Sequence, residues 1–160
     1  GFRQAFSTGE YFIKNNYDFD MVISSPLKRA YVTAEQVNKG MMMHRPVVLD
    51  KSLIERNFGD YDGHEINDDY YYMIKRGLVP NQETNDELEQ RVCDSLFDIC
   101  KKYPEKKLLI VTHSHVIKAF LTRHVKGFSY ETVLHNCSIS KVICDGQSFD
   151  VIDYNLNPLE

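Results

Sequence analysis

The sequence predicts one α/β domain over residues 1–160, a three-layer sandwich with a mainly parallel β-sheet and helices on both faces. Three short apolar runs carry this prediction: MVIS (21–24), VVLD (47–50) and LLIVT (108–112). Each run is too short for a helix but is continuous enough for a strand buried on both sides. Helical patterns separate the runs, and this alternation is typical of parallel βαβ units. A chain of this length fits one domain and can bury a sizeable core.

Apolar spacing and end signals predict the other elements. Residues 2–15 place apolar side chains near a 3.6-residue spacing, which indicates an amphipathic helix. Ser25 and Pro26 are typical of the N-cap and first position of a second helix, and Gly40 is typical of its end. The remaining predicted elements are a loop at 53–64, helices at 70–77, at 85–103 and from His113 to about Val125, and antiparallel hairpin strands at 140–145 and 149–154.

Composition argues against several kinds of partner. The net charge is −4 and no basic tail or stripe is present, so the sequence gives no support for binding nucleic acid or an anionic membrane. No apolar run approaches the roughly 18 residues of a membrane span, so no membrane partner is expected. The four cysteines form no Cys-x-x-Cys pair, which favours a reduced, cytoplasmic protein.

Two histidines directly after the third apolar run point to a ligand site. His113 follows LLIVT and opens a predicted helix, and His115 lies two residues further on. Ligands of open α/β sheets bind beyond the carboxyl ends of the strands. The first N–H groups of a helix favour an anion. The position of His113 therefore suits an anionic ligand held beside an imidazole.

Two further residues occupy similar positions. Arg29 lies one turn into the helix that follows the first strand, so its guanidinium can reach back to the same sheet edge. A planar, always charged fork of donors suits a phosphate dianion. Glu55 follows the second strand and is flanked by Leu53 and Ile54, which favours partial desolvation. Desolvation raises the pKa of a carboxyl group and makes it a better proton donor near neutrality.

Several segments together resemble the histidine phosphatase (phosphoglycerate mutase-like) superfamily. SSPLKRAYVTAE is similar to its Ser-Ser-Pro-Leu-x-Arg-Ala-x-x-Thr-Ala motif, and LIERNFGDYDG to its Leu-x-Glu-x-x-x-Gly-x-aromatic-acid-Gly segment. VTHSHVIKAFL resembles its second-histidine motif. NQETNDELEQRV resembles a Gly-Glu-Ser stretch with an arginine eight residues after the glutamate, here Glu83 and Arg91. The resemblance runs through the whole chain in order.

The resemblance implies hydrolysis of a small phosphorylated substrate through a phosphohistidine, without a metal or other cofactor. By resemblance, Arg29 grips the transferred phosphate, and His113 stabilises its developing charge with help from the backbone N–H of Ser114. Glu55 is implied to be the general acid that protonates the leaving alcohol, and then the base that activates water. Arg56 is a candidate for contact with the substrate.

The nucleophile is the main departure from the family pattern. The family carries its nucleophilic histidine in an Arg-His-Gly motif at the end of its first strand, and no Arg-His-Gly occurs in residues 1–160. We expect that first strand to be absent from these residues, and we expect the chain to be an N-terminally incomplete phosphatase, since it also begins without methionine. A catalytically inactive protein that binds a phosphorylated ligand or a partner is the alternative. A phosphoglycerate mutase is the third, disfavoured because 53–90 is compact.

The same departure predicts a vacancy in the sheet. By resemblance, the missing strand lies beside LLIVT. The structure should then show a gap between LLIVT and a neighbouring strand, or a strand supplied by another chain. A sheet that closes on both sides of LLIVT would instead favour the inactive alternative. An in-frame Arg-His-Gly in the coding sequence upstream of Gly1 would support the incomplete phosphatase.

Overall fold

A computed structural model of the protein describes residues 1–42, 45–61 and 68–159. The predicted α/β fold is confirmed. Its helices are α1 (Phe2–Lys14), α2 (Lys28–Gly40), α3 (Asp68–Lys75), α4 (Asn85–Lys102) and α5 (Ser114–His124). Its strands are β1 (Met21–Ser24), β2 (Val47–Leu49), β3 (Leu108–Val111), β4 (Ile139–Cys144) and β5 (Phe149–Leu156). In the described ranges, no helix is long and apolar enough to span a membrane.

The central sheet is parallel and has the order β2-β1-β3. Ser24, the last residue of β1, is paired with Leu49 of β2 and with Val111 of β3. Two hydrogen bonds continue this alignment past the strand ends, from the Ser25 N–H to the Val111 carbonyl and from the Asp50 N–H to the Ser24 carbonyl. The carboxyl ends of all three strands therefore meet at one edge.

Helices cover both faces of the sheet, as predicted. On one face, Phe12 of α1 and Val37 of α2 form a core against which Leu109 of β3 packs. On the other face, Ile99 of α4 packs in a core with Ile23 of β1. Adjacent strand residues point to opposite faces, so a continuous apolar run supplies both cores.

In the described part of the chain, β3 has an unpaired edge that fits the gap predicted from the sequence. Among the described residues, β3 pairs with β1 alone, and β4 pairs with β5 alone in a separate antiparallel hairpin. All four residues of β3 are only half-buried. A central strand of a parallel sheet is normally covered on both faces and paired at both edges. The structure thus leaves one edge of β3 without a partner strand in the described part of the chain.

Two helices have boundaries that differ from the prediction: α3 spans Asp68–Lys75 and not 70–77, and the start of the second helix also differs. The second helix begins at Lys28 with Leu27 as its N-cap, and not at Pro26 with Ser25 as its N-cap. The Ser25 hydroxyl accepts a hydrogen bond from the Leu27 N–H at 3.3 Å, so it stabilises the turn that leads into α2. The predicted loop at 53–64 begins at the end of one short 3₁₀ turn, Lys51–Leu53, and contains a second, Gly59–Tyr61. Residues 62–64 of this loop lie outside the described residues.

Candidate active site

His113 lies just beyond the carboxyl end of β3. It is the N-cap of α5, and its own backbone is extended. His113 is 5% exposed, and its Nε2 lies 2.8 Å from the hydroxyl of Ser25, which is fully buried. This contact joins the residues that follow β1 and β3. The sequence predicted only a capping role for Ser25, although its place directly after a strand matches that of His113.

The imidazole of His113 is neutral at pH 7. Burial, and then the positive charges of Arg29 and Arg91, lower its pKa to about 4. A neutral imidazole has one N–H donor and one acceptor nitrogen. His113 is therefore a buried hydrogen-bonding group that adds no positive charge beside Arg29 and Arg91.

Donors suited to an anion surround His113. Arg29 is exposed on the first turn of α2, and its charge acts on both His113 and Glu55. Ser114 is exposed and is the first residue of α5, where backbone N–H groups have no partner within the helix. These groups could hold a phosphate dianion. No set of three potential metal ligands comes together among the described residues.

Glu55 lies on the loop after β2, close to the start of α5. Its Oε1 accepts a 2.8 Å hydrogen bond from the Arg56 N–H, and its Oε2 lies 3.5 Å from the His115 N–H at the start of α5. Burial raises the pKa of the Glu55 carboxyl, although these N–H groups and the charges of Arg29 and Arg91 oppose the shift. A carboxyl group of this kind can carry a proton closer to neutral pH than an exposed one.

Arg56 is more deeply buried than the sequence suggested. It is 2% exposed, and its Nε donates to the Glu83 carbonyl at 2.9 Å, while its Nη2 donates to Asn85 Oδ1 at 2.8 Å. Its guanidinium carbon also lies 5.5 Å from the centre of the Tyr130 ring. These contacts join the Glu55 loop to the start of α4. Direct contact of Arg56 with a substrate stays a prediction.

His115 lines the side of the site nearest Glu55. Its Nδ1 is 3.4 Å from Arg56 Nη1, and its ring meets the Phe58 ring edge-on at 5.2 Å. Burial and the charge of Arg56 lower its pKa to about 3. His115 is thus a second neutral imidazole, packed among an aromatic ring and a guanidinium.

A glycine lets the Glu55 loop approach the segment before α4. Gly59 has a φ of +58°, and a Cβ atom there would collide with the backbone of Pro80 and Asn81. A side chain at this position would push the two segments apart. Gly59 therefore helps to keep the loop against the residues that lead to Glu83.

The lowered pKa values of buried His113 and half-buried His115 predict a pH-dependent stability. Below about pH 6.5 the unfolded chain protonates both histidines, whereas the folded chain keeps His113 neutral to about 4 and His115 to about 3. The unfolded state binds more protons in this window, so the free energy of unfolding should rise with pH from about 4 to 6.5. The raised pKa of Glu55 acts with the opposite sign.

One substitution isolates the contribution of His115 to the slope of the unfolding free energy against pH. Urea denaturation at pH 5 and 7 should show a smaller pH dependence for His115→Gln than for the wild type. His135→Gln, at an exposed position, is the matched control and should keep the wild-type slope. Identical slopes for the two variants would show that His115 is not held neutral by the fold.

The chain is similar to known proteins along nearly its whole length. The model of the histidine phosphatase superfamily (branch 1) matches residues 1–157. The chain is 36% identical over 163 residues to the uncharacterized phosphatase PhoE of Bacillus subtilis (strain 168), a match that covers 98% of this chain and 80% of that protein. Among solved structures, a phosphoserine phosphatase mutant from Entamoeba histolytica in complex with phosphoserine has a TM-score of 0.78 at 23% identity, covering 99% of this chain and 83% of that one.

A phosphoglycerate mutase from Bacillus anthracis str. Sterne has a TM-score of 0.76 at 18% identity, covering 97% of this chain and 79% of that one. At these identities the two solved structures show the fold alone. The superfamily model and the B. subtilis relative both cover nearly all of the chain. The chain belongs to the histidine phosphatase superfamily.

Proposed function

We propose that the protein hydrolyses small phosphomonoesters through a phosphohistidine intermediate. One observation carries the proposal: the half-buried carboxyl of Glu55, whose pKa is raised, lies near Arg29 and the start of α5, which offer donors that suit an anion. The anion site suits a phosphoryl group, and the carboxyl suits proton transfer to a leaving oxygen. Relatives named as phosphatases support the reaction class.

In the first step, a histidine nitrogen attacks phosphorus and the bond from phosphorus to the ester oxygen breaks. Glu55 gives its proton to that oxygen, so the product leaves as an alcohol. Arg29, His113 and the Ser114 N–H bind the non-bridging oxygens, whose charge they stabilise in the transition state. In the second step, Glu55 takes a proton from water, which attacks phosphorus and frees the histidine.

The nucleophilic histidine belongs, in this proposal, to a segment outside residues 1–160, since these contain no Arg-His-Gly. The vacancy beside β3 supports this part of the proposal. A parallel strand in that position would end at the same edge as Ser24 and Val111, next to His113. We call residues 1–160 together with this proposed preceding segment the full chain.

A catalytically inactive phosphate-binding protein is the second candidate, and the absence of Arg-His-Gly from residues 1–160 favours it. Both candidates use the same anion site. They differ in whether a nucleophile ever reaches the bound phosphate.

Turnover separates the two candidates. Release of inorganic phosphate should be measured from a panel that includes phosphoserine, a sugar phosphate and nitrophenyl phosphate. Residues 1–160 alone should bind phosphate but show negligible turnover, and the full chain should hydrolyse the esters. A full chain that binds phosphate without hydrolysing any ester would support the inactive candidate. Turnover by residues 1–160 alone would show that the nucleophile lies within them.

A further inference from the structure

The ion pair between Glu83 and Arg91 takes no direct part in the two-step reaction. We infer that Glu83 and Arg91 are positioning residues that hold Glu55 in place for proton transfer, an inference that rests on the proposed function. Neither residue touches the phosphate in the proposed reaction. Each acts through the loop that carries Glu55.

Arg91 holds the loop on the N-terminal side of Glu55. Its Nη1 donates to the Ile54 carbonyl at 3.0 Å and to the Ser52 carbonyl at 2.9 Å. The Ile54 carbonyl belongs to the peptide bond that joins Ile54 to Glu55. Arg91 therefore fixes the orientation of the peptide directly before the proposed acid.

Glu83 holds the loop on the C-terminal side. Its N–H donates to the Asn57 carbonyl at 2.9 Å, and its Oε1 accepts from the Asn57 N–H at 3.2 Å. Its own carbonyl accepts from Arg56 Nε at 2.9 Å. The loop is therefore held on both sides of Glu55, by Arg91 before it and by Glu83 after it.

Glu83 and Arg91, which hold the loop on either side of Glu55, are also joined to each other. Arg91 Nε and Nη2 donate to the two carboxylate oxygens of Glu83 at 2.8 and 3.1 Å, a two-point pairing that fixes relative orientation. The side chains are 25% and 15% exposed, respectively. Glu83 directly precedes Thr84, the N-cap of α4, whose capping box with Glu87 fixes the helix start. The rigid beginning of α4 thus positions the loop.

The pair also balances charge near the acid. The positive charge of Arg91 lowers the pKa of Glu55, and Glu83 supplies the compensating negative charge. Removing the Glu83 charge should lower the pKa of Glu55 further, whereas removing the Arg91 charge should raise it. A role limited to fold stability would not produce these opposite shifts.

The test measures kcat/KM of the full chain against pH, with phosphoserine and with nitrophenyl phosphate. The leaving group of phosphoserine is an alkoxide that needs a proton, whereas the nitrophenolate that leaves nitrophenyl phosphate needs none. The decline of phosphoserine hydrolysis at high pH reports loss of the proton from Glu55. It should move to lower pH in Glu83→Gln and to higher pH in Arg91→Gln.

Arg91→Lys keeps the charge and loses the two-point pairing. It should lower kcat/KM for phosphoserine by about 10- to 100-fold, the scale of a loss caused by a small misplacement, and for nitrophenyl phosphate by less than about threefold. In a Glu55→Gln background, Arg91→Lys should lower kcat/KM for phosphoserine little further, because both substitutions disable the same proton transfer. Arg123→Lys alters the ion pair to Glu89 between α5 and α4 and is the control. It should leave kcat/KM for both substrates unchanged.

Several results would overturn the inference. Equal losses for both substrates, additive losses in the Glu55→Gln background, or pH profiles that move in the same direction would each contradict it. If circular dichroism shows that neither Glu83→Gln nor Arg91→Lys folds, the pair is structural and the inference is wrong. If Glu55→Gln alone left kcat/KM for phosphoserine unchanged, the proposed function would be contradicted instead.

Discussion

Replacing Glu55 with glutamine in the full chain should lower kcat/KM for phosphoserine or a sugar phosphate by about 10²- to 10⁴-fold, the usual contribution of a general acid. For nitrophenyl phosphate the loss in kcat/KM should stay below about tenfold, since its leaving group departs as a stable anion. The physical reason is that glutamine keeps the size of the side chain but cannot give a proton. Initial-rate kinetics with both substrates measure this difference.

Glu10→Gln, an exposed glutamate on α1, is the control and should leave both rates unchanged. Equal losses for the two substrates after Glu55→Gln would remove Glu55 from the role of acid. The raised pKa of its carboxyl would then reflect burial alone.

His113→Ala and Arg29→Ala should each reduce kcat/KM of the full chain by about 10²- to 10³-fold, and by the same factor for both classes of ester. These groups act on the phosphoryl oxygens, whose charge in the transition state does not depend on which alcohol leaves. A leaving-group series with each variant should therefore give lines parallel to that of the wild type.

His135→Ala and Arg3→Ala remove exposed side chains of the same two types and serve as controls. Binding of inorganic phosphate should weaken in Arg29→Ala but not in either control. A loss confined to poor leaving groups in His113→Ala would assign proton transfer to His113 and contradict its proposed role in stabilising the phosphoryl charge.

The strands could be predicted well because their signal is local. MVIS is β1 to the residue, and LLIVT overlaps β3 in all but its last residue. Both are continuous apolar runs bounded by polar residues, and a buried parallel strand needs nothing else from the sequence. The half-burial of β3 accompanies an edge that has no partner strand among the described residues, and no property of its own four residues predicts either feature.

The residues of the site also differ in whether the sequence could predict their positions. His113 and Glu55 could be placed at one sheet edge because each follows a strand, and parallel strands end together. The burial of Arg56 could not be predicted, since its partners, Glu83 and Asn85, lie 27 and 29 residues away in the chain. Ser25 was assigned a capping role for a related reason, because its contact with His113 spans 88 residues.

Mapping the phosphorylated residue tests the central claim most directly. The full chain carrying Glu55→Gln should be mixed with labelled nitrophenyl phosphate, quenched in base and analysed by peptide mass spectrometry. Because the variant lacks the base that activates water, the phosphoenzyme should accumulate, with phosphate on a histidine outside residues 1–160 and none on His113. Phosphate found on His113, or on any other residue of 1–160, would contradict the account.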